Sequence, residues 1–148
     1  TTLAKQLALY VVIYSPLQMA ADLPEHYEAR PDAFQFIKEV PVDWEDTRVL
    51  HARIGDYVTI VRKDRHSDDW YLGSITDEYG RTLQASLSFL EPGRKYVAEI
   101  YRDAPDADWR TNPLAIEITR QIVDASTVLT LRLAPGGGTA IRFHPVEE

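Results

Sequence analysis

From about Val49 onward the apolar residues of this chain return at every second position, whereas before that point they return at every third or fourth. A period of two places side chains alternately on the two faces of a strand, and a period near 3.6 places them along one stripe of a helix. The chain therefore divides into a helical beginning and a strand-rich remainder. The alternation is sharpest in Leu83, Ala85, Leu87 and Phe89 against Gln84, Ser86 and Ser88, and in Leu129, Leu131 and Leu133 against Thr130 and Arg132. Strands are predicted over 49–54, 57–62, 70–76, 82–89, 96–102, 115–123, 128–133 and 140–144. Asp77-Glu78-Tyr79-Gly80 and Glu91-Pro92-Gly93 carry Gly where a turn asks for positive φ, and Gly136-Gly137-Gly138 lets the chain reverse before the last strand. Seven or eight short strands joined by such turns predict a mainly β fold, an antiparallel β-sandwich preceded by an N-terminal helical segment.

The helical part is predicted from Leu3 to about Leu23, with Leu3, Leu7, Tyr10, Ile13, Tyr14 and Leu17 on one face and Leu9, Val11 and Val12 filling much of the other. A helix apolar on nearly every side wants burial all round, more than the edge of one small sandwich can offer. Pro16 should break it near Tyr14 and Ser15. Asp22 to Pro31 reads as a loop, and a short helix capped by Asp32 runs to Val40, where Pro41 stops it. The boundary between the units falls at residues 45 and 46. The first residues, Thr1-Thr2, show neither Met nor the pattern of a signal peptide, so the chain reads as a piece of something longer.

Several function classes fall away. A chain of 148 residues is too short for a complete (β/α)8 enzyme of about 250 residues. With no Cys, there is no disulfide framework, thiolate metal site or cysteine nucleophile. A formal charge of −7 repels a phosphate backbone, which excludes nucleic acid as a partner. The apolar run from Leu7 to Tyr14 cannot cross about 30 Å of hydrocarbon, so no membrane span is expected.

A glycosidase needs two carboxyls facing each other across a concave site. Asp68-Asp69, Glu45-Asp46 and Glu147-Glu148 fall in predicted turns or at the terminus, where solvation is expected. Asp103, Asp106 and Asp108 are close enough in sequence to suggest a hard cation, but a calcium loop starting at Asp106 would put Arg110 where an oxygen ligand belongs and Thr111 where Gly is required, with only Asp108 and Glu117 in place. An acidic surface loop pinned by Trp109 is the simpler reading. His26, His51, His66 and His144 share no ligand spacing. No Ser stands in G-x-S-x-G, and the glycine run opens a strand rather than a helix. The aromatics Trp70, Tyr71, Tyr79, Tyr101 and Trp109 remain as a stacking platform for sugar rings, with Trp70 and Trp109 the candidate binding residues.

The run from Gln6 to Glu25, then Phe34-Gln-Phe-Ile-Lys38, Pro41-Val-Asp-Trp44, Gly55-Asp-Tyr-Val-Thr-Ile60, Ser67-Asp-Asp-Trp-Tyr-Leu-Gly-Ser-Ile-Thr76, Ile100-Tyr-Arg-Asp103, Ala107-Asp-Trp109 and Leu133-Ala-Pro-Gly-Gly-Gly138 resembles the C-terminal part of glycoside hydrolase family 97. The resemblance covers essentially the whole chain. It implies that residues 1–45 are the helical tail of a catalytic (β/α)8 barrel and that 46–148 are the C-terminal sandwich behind it. It further implies a parent that is an exo-acting α-glucosidase or α-galactosidase with catalytic calcium, periplasmic or associated with the cell envelope. The catalytic carboxylates and calcium ligands of that family lie upstream of the matched segment. The fragment is thus expected to be inactive alone, without a cofactor of its own, to support the barrel and to self-associate. The alternative is a carbohydrate-binding module that holds α-linked oligosaccharide.

Overall fold

The structure, a computed structural model, describes residues 1–13 and 31–147. The predicted continuation of the first helix to Leu23, the break at Pro16, the loop from Asp22, His26 and Glu148 lie outside the described residues. Among the described residues there are two helices, α1 (Leu3–Val12) and α2 (Pro31–Glu39), and eight strands. These are β1 (Trp44–Arg53), β2 (Tyr57–Asp64), β3 (Trp70–Thr76), β4 (Arg81–Ser86), β5 (Tyr96–Asp103), β6 (Ile116–Val123), β7 (Val128–Leu133) and β8 (Gly138–Pro145). Every ladder is antiparallel. Six strands form one sheet in the order β1-β2-β3-β8-β5-β6, and β4 and β7 form a two-stranded ribbon.

The alternation read in the sequence decides which layer each side chain joins. In β3, Trp70 and Leu72 enter a core shared with Ala85, Leu87, Leu129, Leu131 and Leu133 from the ribbon side, while Tyr71 between them enters a second core with α1 and α2. The same switch separates Ile141 from Ala140 in β8 and Ile100 from Tyr101 in β5. The six-stranded sheet is thus covered twice, by the ribbon on one face and by helices on the other, which makes the sandwich a three-layered unit.

Several boundaries differ from the sequence reading. β1 begins at Trp44 rather than Val49, so Glu45 and Asp46 are strand residues and not turn residues. β4 stops at Ser86 and the chain turns at Leu87–Leu90, closed by the Leu90 amide donating to Leu87 O at 3.0 Å. Leu87 and Phe89 stay buried in that turn, which is why a period of two ran on past the strand. Gly93 takes the positive φ expected of it, 79°, but Gly80 does not, and in the glycine run Gly136 has a φ of 64°. Asp32 does not cap α2: Pro31 already holds the first helical position, where its missing amide costs nothing. Asp32 sits in the first turn and its carboxylate accepts from Ala33 N at 3.0 Å. In α1 the buried stripe is Leu3, Ala4, Leu7, Ala8 and Val11, with Leu9, Tyr10 and Val12 only half covered. The two alanines, not the bulkiest residues, decided which side faces the sheet.

Candidate functional site

The helix-covered face holds the densest polar and aromatic construction among the described residues. Its floor is set by small residues. A Cβ added at Gly73 would lie 2.6 Å from Ala8 O and 2.8 Å from Val11 Cβ, and one at Gly138 would lie 2.7 Å from Lys5 Cα. With Ala140 also fully buried there, α1 rests directly on the backbone of β3 and β8. Around this contact Phe36, Tyr71, Tyr101 and Trp44 pack edge to face, with ring centroids 5.2 to 6.0 Å apart.

Both ends of α1 are tied to the sandwich by groups that its own helix leaves unpaired. At the start, the Thr2 hydroxyl accepts from Lys5 N at 3.2 Å. The Thr2 and Leu3 amides donate to Gly136 O at 3.1 Å and Pro113 O at 2.7 Å. The Lys5 ammonium donates to Thr76 O at 2.8 Å. Beneath this end, the carboxylate of Asp103 accepts from Ala134 N and Gly138 N, both at 2.9 Å, and so holds the glycine turn closed. Burial pushes the Asp103 carboxyl above the usual carboxylate range, against the pull of these donors, and burial likewise lowers Lys5. At the other end, the buried guanidinium of Arg62 donates through Nε to Val11 O and through Nη2 to Val12 O at 3.0 Å. A cation there satisfies orphan carbonyls and meets the negative end of the helix dipole.

Beyond α2 the same face carries a charged cluster. Arg142 bonds Asp69 at 3.0 Å and Glu99 at 3.1 Å and lies 3.6 Å from Glu39, while His144 Nε2 is 3.0 Å from Glu99. Tyr71 OH donates to Glu39 O at 3.1 Å and links the cluster to the end of α2. Burial raises the Asp69 carboxyl and lifts the Tyr101 hydroxyl to about 12. Asp69 and Glu99 both accept from Arg142, so neither is a proton donor poised beside a nucleophile. The cluster fastens strands and helix together.

The residues singled out in the sequence are not brought together. Trp70 is 6% exposed and packs on Phe89 in the ribbon-side core with centroids 5.1 Å apart. Trp109 is 40% exposed and lies against Gly136. Trp70 pairs with Phe143 near the far end of β8, so about 20 Å of strand separates the two indoles. Tyr71 and Tyr101 are buried under the helices, and Tyr79 is exposed. Asp68 is solvated as expected, but the Asp69 side chain is only 14% exposed because Arg142 draws it inward. Asp103, Asp106 and Asp108 turn to separate tasks: Asp106 accepts from Asn112 Nδ2 at 3.0 Å, and Asp108 accepts from Arg110 N and Thr111 N, which hold its carboxyl below the usual range. Among the described residues no three His, Asp or Glu gather to hold a metal, so the carboxylates present do not fit a calcium site. No described helix is long and apolar enough to cross a membrane. The residues that sequence reasoning missed are Arg62, Glu99 and Arg142. Glu99 and Arg142 are each a lone charge inside an apolar stretch, Ala98 to Ile100 and Ala140 to Phe143, which is the signal that could have marked them, whereas Arg62 opens the charged run Arg62-Lys63-Asp64 and carries no such mark.

Residues 43–144 match the family model described as glycosyl-hydrolase 97 C-terminal, oligomerisation. A retaining alpha-galactosidase of Bacteroides thetaiotaomicron is 36% identical over 142 residues, covering 96% of this chain and 21% of that protein. A probable retaining alpha-galactosidase of Streptomyces bingchenggensis is 28% identical over 95% of this chain and 20% of that protein. Among solved structures, a glycoside hydrolase family 97 enzyme from Pseudoalteromonas sp. strain K8, determined with acarbose and with panose, superposes with a TM-score of 0.95 at 53% identity, covering 99% of this chain and 23% of that one. The chain spans about a fifth of the length of these relatives.

Proposed function

The chain belongs to the glycosyl-hydrolase 97 C-terminal family, and on that premise we propose that it is the non-catalytic end of a larger α-glycosidase, in which the sandwich seats the last helices of the catalytic barrel and contributes to oligomer formation. The expected boundary at residues 45 and 46 then separates barrel tail from sandwich, moved forward to the start of β1 at Trp44. The observation that carries this reading is the seat itself: α1 lies on glycine backbone and both its ends are bonded to strands and turns of the sandwich. A helix held this way transmits the position of the sandwich to whatever precedes it.

The parent's chemistry belongs to residues outside this chain. One carboxyl protonates the glycosidic oxygen while another attacks the sugar or activates water. Calcium at that catalytic site and a periplasmic or envelope location are part of the same proposal. The greater identity to the Pseudoalteromonas enzyme bound to acarbose and panose than to the Bacteroides alpha-galactosidase supports an α-glucoside as the parent's substrate. The carbohydrate-module reading retains only the exposed Trp109, since a Trp70 buried in the core offers no face to a sugar.

The test joins activity to docking. The isolated chain should not turn over nitrophenyl α-glucoside or α-galactoside, and its Trp fluorescence should not respond to millimolar maltooligosaccharide. In the parent enzyme, Gly73→Val should lower the thermal midpoint and the activity together. Full activity at an unchanged midpoint would sink the support role, and saturable sugar binding lost in Trp109→Ala would replace it with the module.

A further inference from the structure

The ribbon covers only part of the six-stranded sheet. β7 lies over β8 and β5, and β6, the next strand outward, runs on beyond it. Glu117, Thr119 and Gln121 of β6 pair with Arg102, Ile100 and Ala98 of β5. Because Ile100 and Ala98 face the ribbon-side core, these three polar residues face the same way and form a step one strand wide beside β7. Above the step is a cleft of about 470 Å³, floored by Ile100 and Thr139, bounded by Glu117 and Gln121, and walled by every β7 residue from Val128 to Arg132. Its volume is within the range of about 300–1,000 Å³ typical of clefts that hold a ligand.

The wall of the cleft is an unpaired strand edge. Leu87 N donates to Thr127 O at 3.0 Å, so odd-numbered residues of β7 bond to β4, and Val128, Thr130 and Arg132 turn their amides and carbonyls the other way. The next even-numbered residue marks the direction, since Ala134 N reaches the Asp103 carboxylate at the end of β5. Among the described residues nothing bonds to the amides and carbonyls of Val128, Thr130 and Arg132. The ladder to β4 has no bulge and β7 contains no proline, so Arg132 is the only one of the usual guards on this edge.

We propose that the cleft takes one extended peptide strand, which adds to the free edge of β7 and completes the second sheet over β6. The strand comes from the part of the parent protein outside this chain, which spans only 20% to 23% of the length of its relatives. The proposal therefore rests on the reading of the chain as one end of a larger enzyme. Main-chain bonds to Val128, Thr130 and Arg132 hold the strand, and those of its side chains that turn toward the step meet Glu117, Thr119 and Gln121 and are polar. β7 of a second copy does not fit the place. With β6 projecting under the cleft, two copies joined edge to edge through β7 at the usual spacing of about 4.8 Å would drive their β6 strands into one another.

Residue-resolved amide hydrogen exchange, run on the chain alone and on the parent enzyme, tests this. In the chain alone the amides of Val128, Thr130 and Arg132 should exchange roughly tenfold or more faster than those of Leu129 and Leu131, and in the parent they should slow by a similar factor. Thr130→Pro removes one outward amide at a position where an edge strand tolerates proline, and Gln121→Lys lays a long charged side chain across the step. Both should leave the thermal midpoint of the chain unchanged and restore fast exchange at Val128 and Arg132 in the parent. If proline disturbs the chain, Gln121→Lys alone decides. Outward amides that exchange slowly in the chain alone, or equally fast in chain and parent, overturn the proposal. So does protection in the parent that Gln121→Lys leaves intact, or that vanishes when oligomers are diluted to monomers. The support role is decided separately, by Gly73→Val in the parent.

Discussion

The two faces of the six-stranded sheet solve the same problem by different means. On the ribbon side, aliphatic and aromatic side chains from β2, β3, β5 and β8 interdigitate with the alternate leucines of β7 and with Ala85, Leu87 and Phe89. On the helix side, the sheet withdraws its side chains at Gly73, Gly138 and Ala140 and lets a helix touch backbone, with Arg62, Lys5 and Asp103 securing the ends. The first face is held by volume and tolerates small shifts. The second is held by close approach and directed hydrogen bonds, and it suits a junction whose geometry has to be fixed.

That contrast can be broken at either face, and the chain's tryptophans report on each separately. Trp70 lies in the ribbon-side core and Trp44 in the helix-side core. Leu131→Ala should have the largest effect, about 2–5 kcal/mol, because Leu131 is 3% exposed and its loss leaves a cavity. Denaturant unfolding should show the loss with the Trp44 environment native until the global transition. Gly73→Val should cost about 1–3 kcal/mol by overpacking, and here Trp44 fluorescence and exchange of the α1 amides should change well before Trp70 responds. If both variants disturb both indoles equally, the two faces are one cooperative unit and the distinction drawn above fails.

The ribbon-side face was legible in the sequence because its signal is local. Leu129, Leu131 and Leu133 alternate with Val128, Thr130 and Arg132 in the sequence and in the burial of β7 alike. The helix-side face was less so. Gly73 stood inside a predicted strand, but nothing local marks it as the place where a helix from the start of the chain rests. Asp103 read as one of three acidic loop residues until the fold brought Ala134 and Gly138 amides to it from about thirty residues away. Trp70 and Tyr71, adjacent in a candidate platform, go to opposite faces because strand neighbours always do. The general shape of the sandwich is thus written in short-range periodicity, and its anchoring site in contacts that periodicity does not record.

A smaller effect sharpens the helix side. Burial holds the Asp103 carboxyl above its ordinary value of 3.8, so the folded state binds a proton more readily than the unfolded chain. The stability this contributes is complete below the ordinary value and is lost as pH rises through the raised one. Asp103→Asn keeps an oxygen for the Ala134 and Gly138 amides but does not titrate. Its stability relative to wild type should therefore climb as pH is raised from below 4 through the raised range and then level off. A difference that falls as pH rises would mean that hydrogen bonding to the charged form, not burial, dominates at this carboxylate, and a flat one that the two cancel.

The smallest effect tests the register on which the whole comparison stands. Arg132 lies opposite Thr82 on the outer side of the ribbon and is exposed, whereas Leu131 opposite Leu83 faces the core. Arg132→Ala should change stability by about 0.5 kcal/mol or less. Strand faces are exclusive, so a slip of one residue in β7 would exchange the roles of these neighbours completely rather than blur them. An Arg132→Ala variant that melts far below wild type beside a tolerant Leu131→Ala would reverse the inner and outer faces of the ribbon. It would also remove the ribbon-side core as the counterpart to the helix seat.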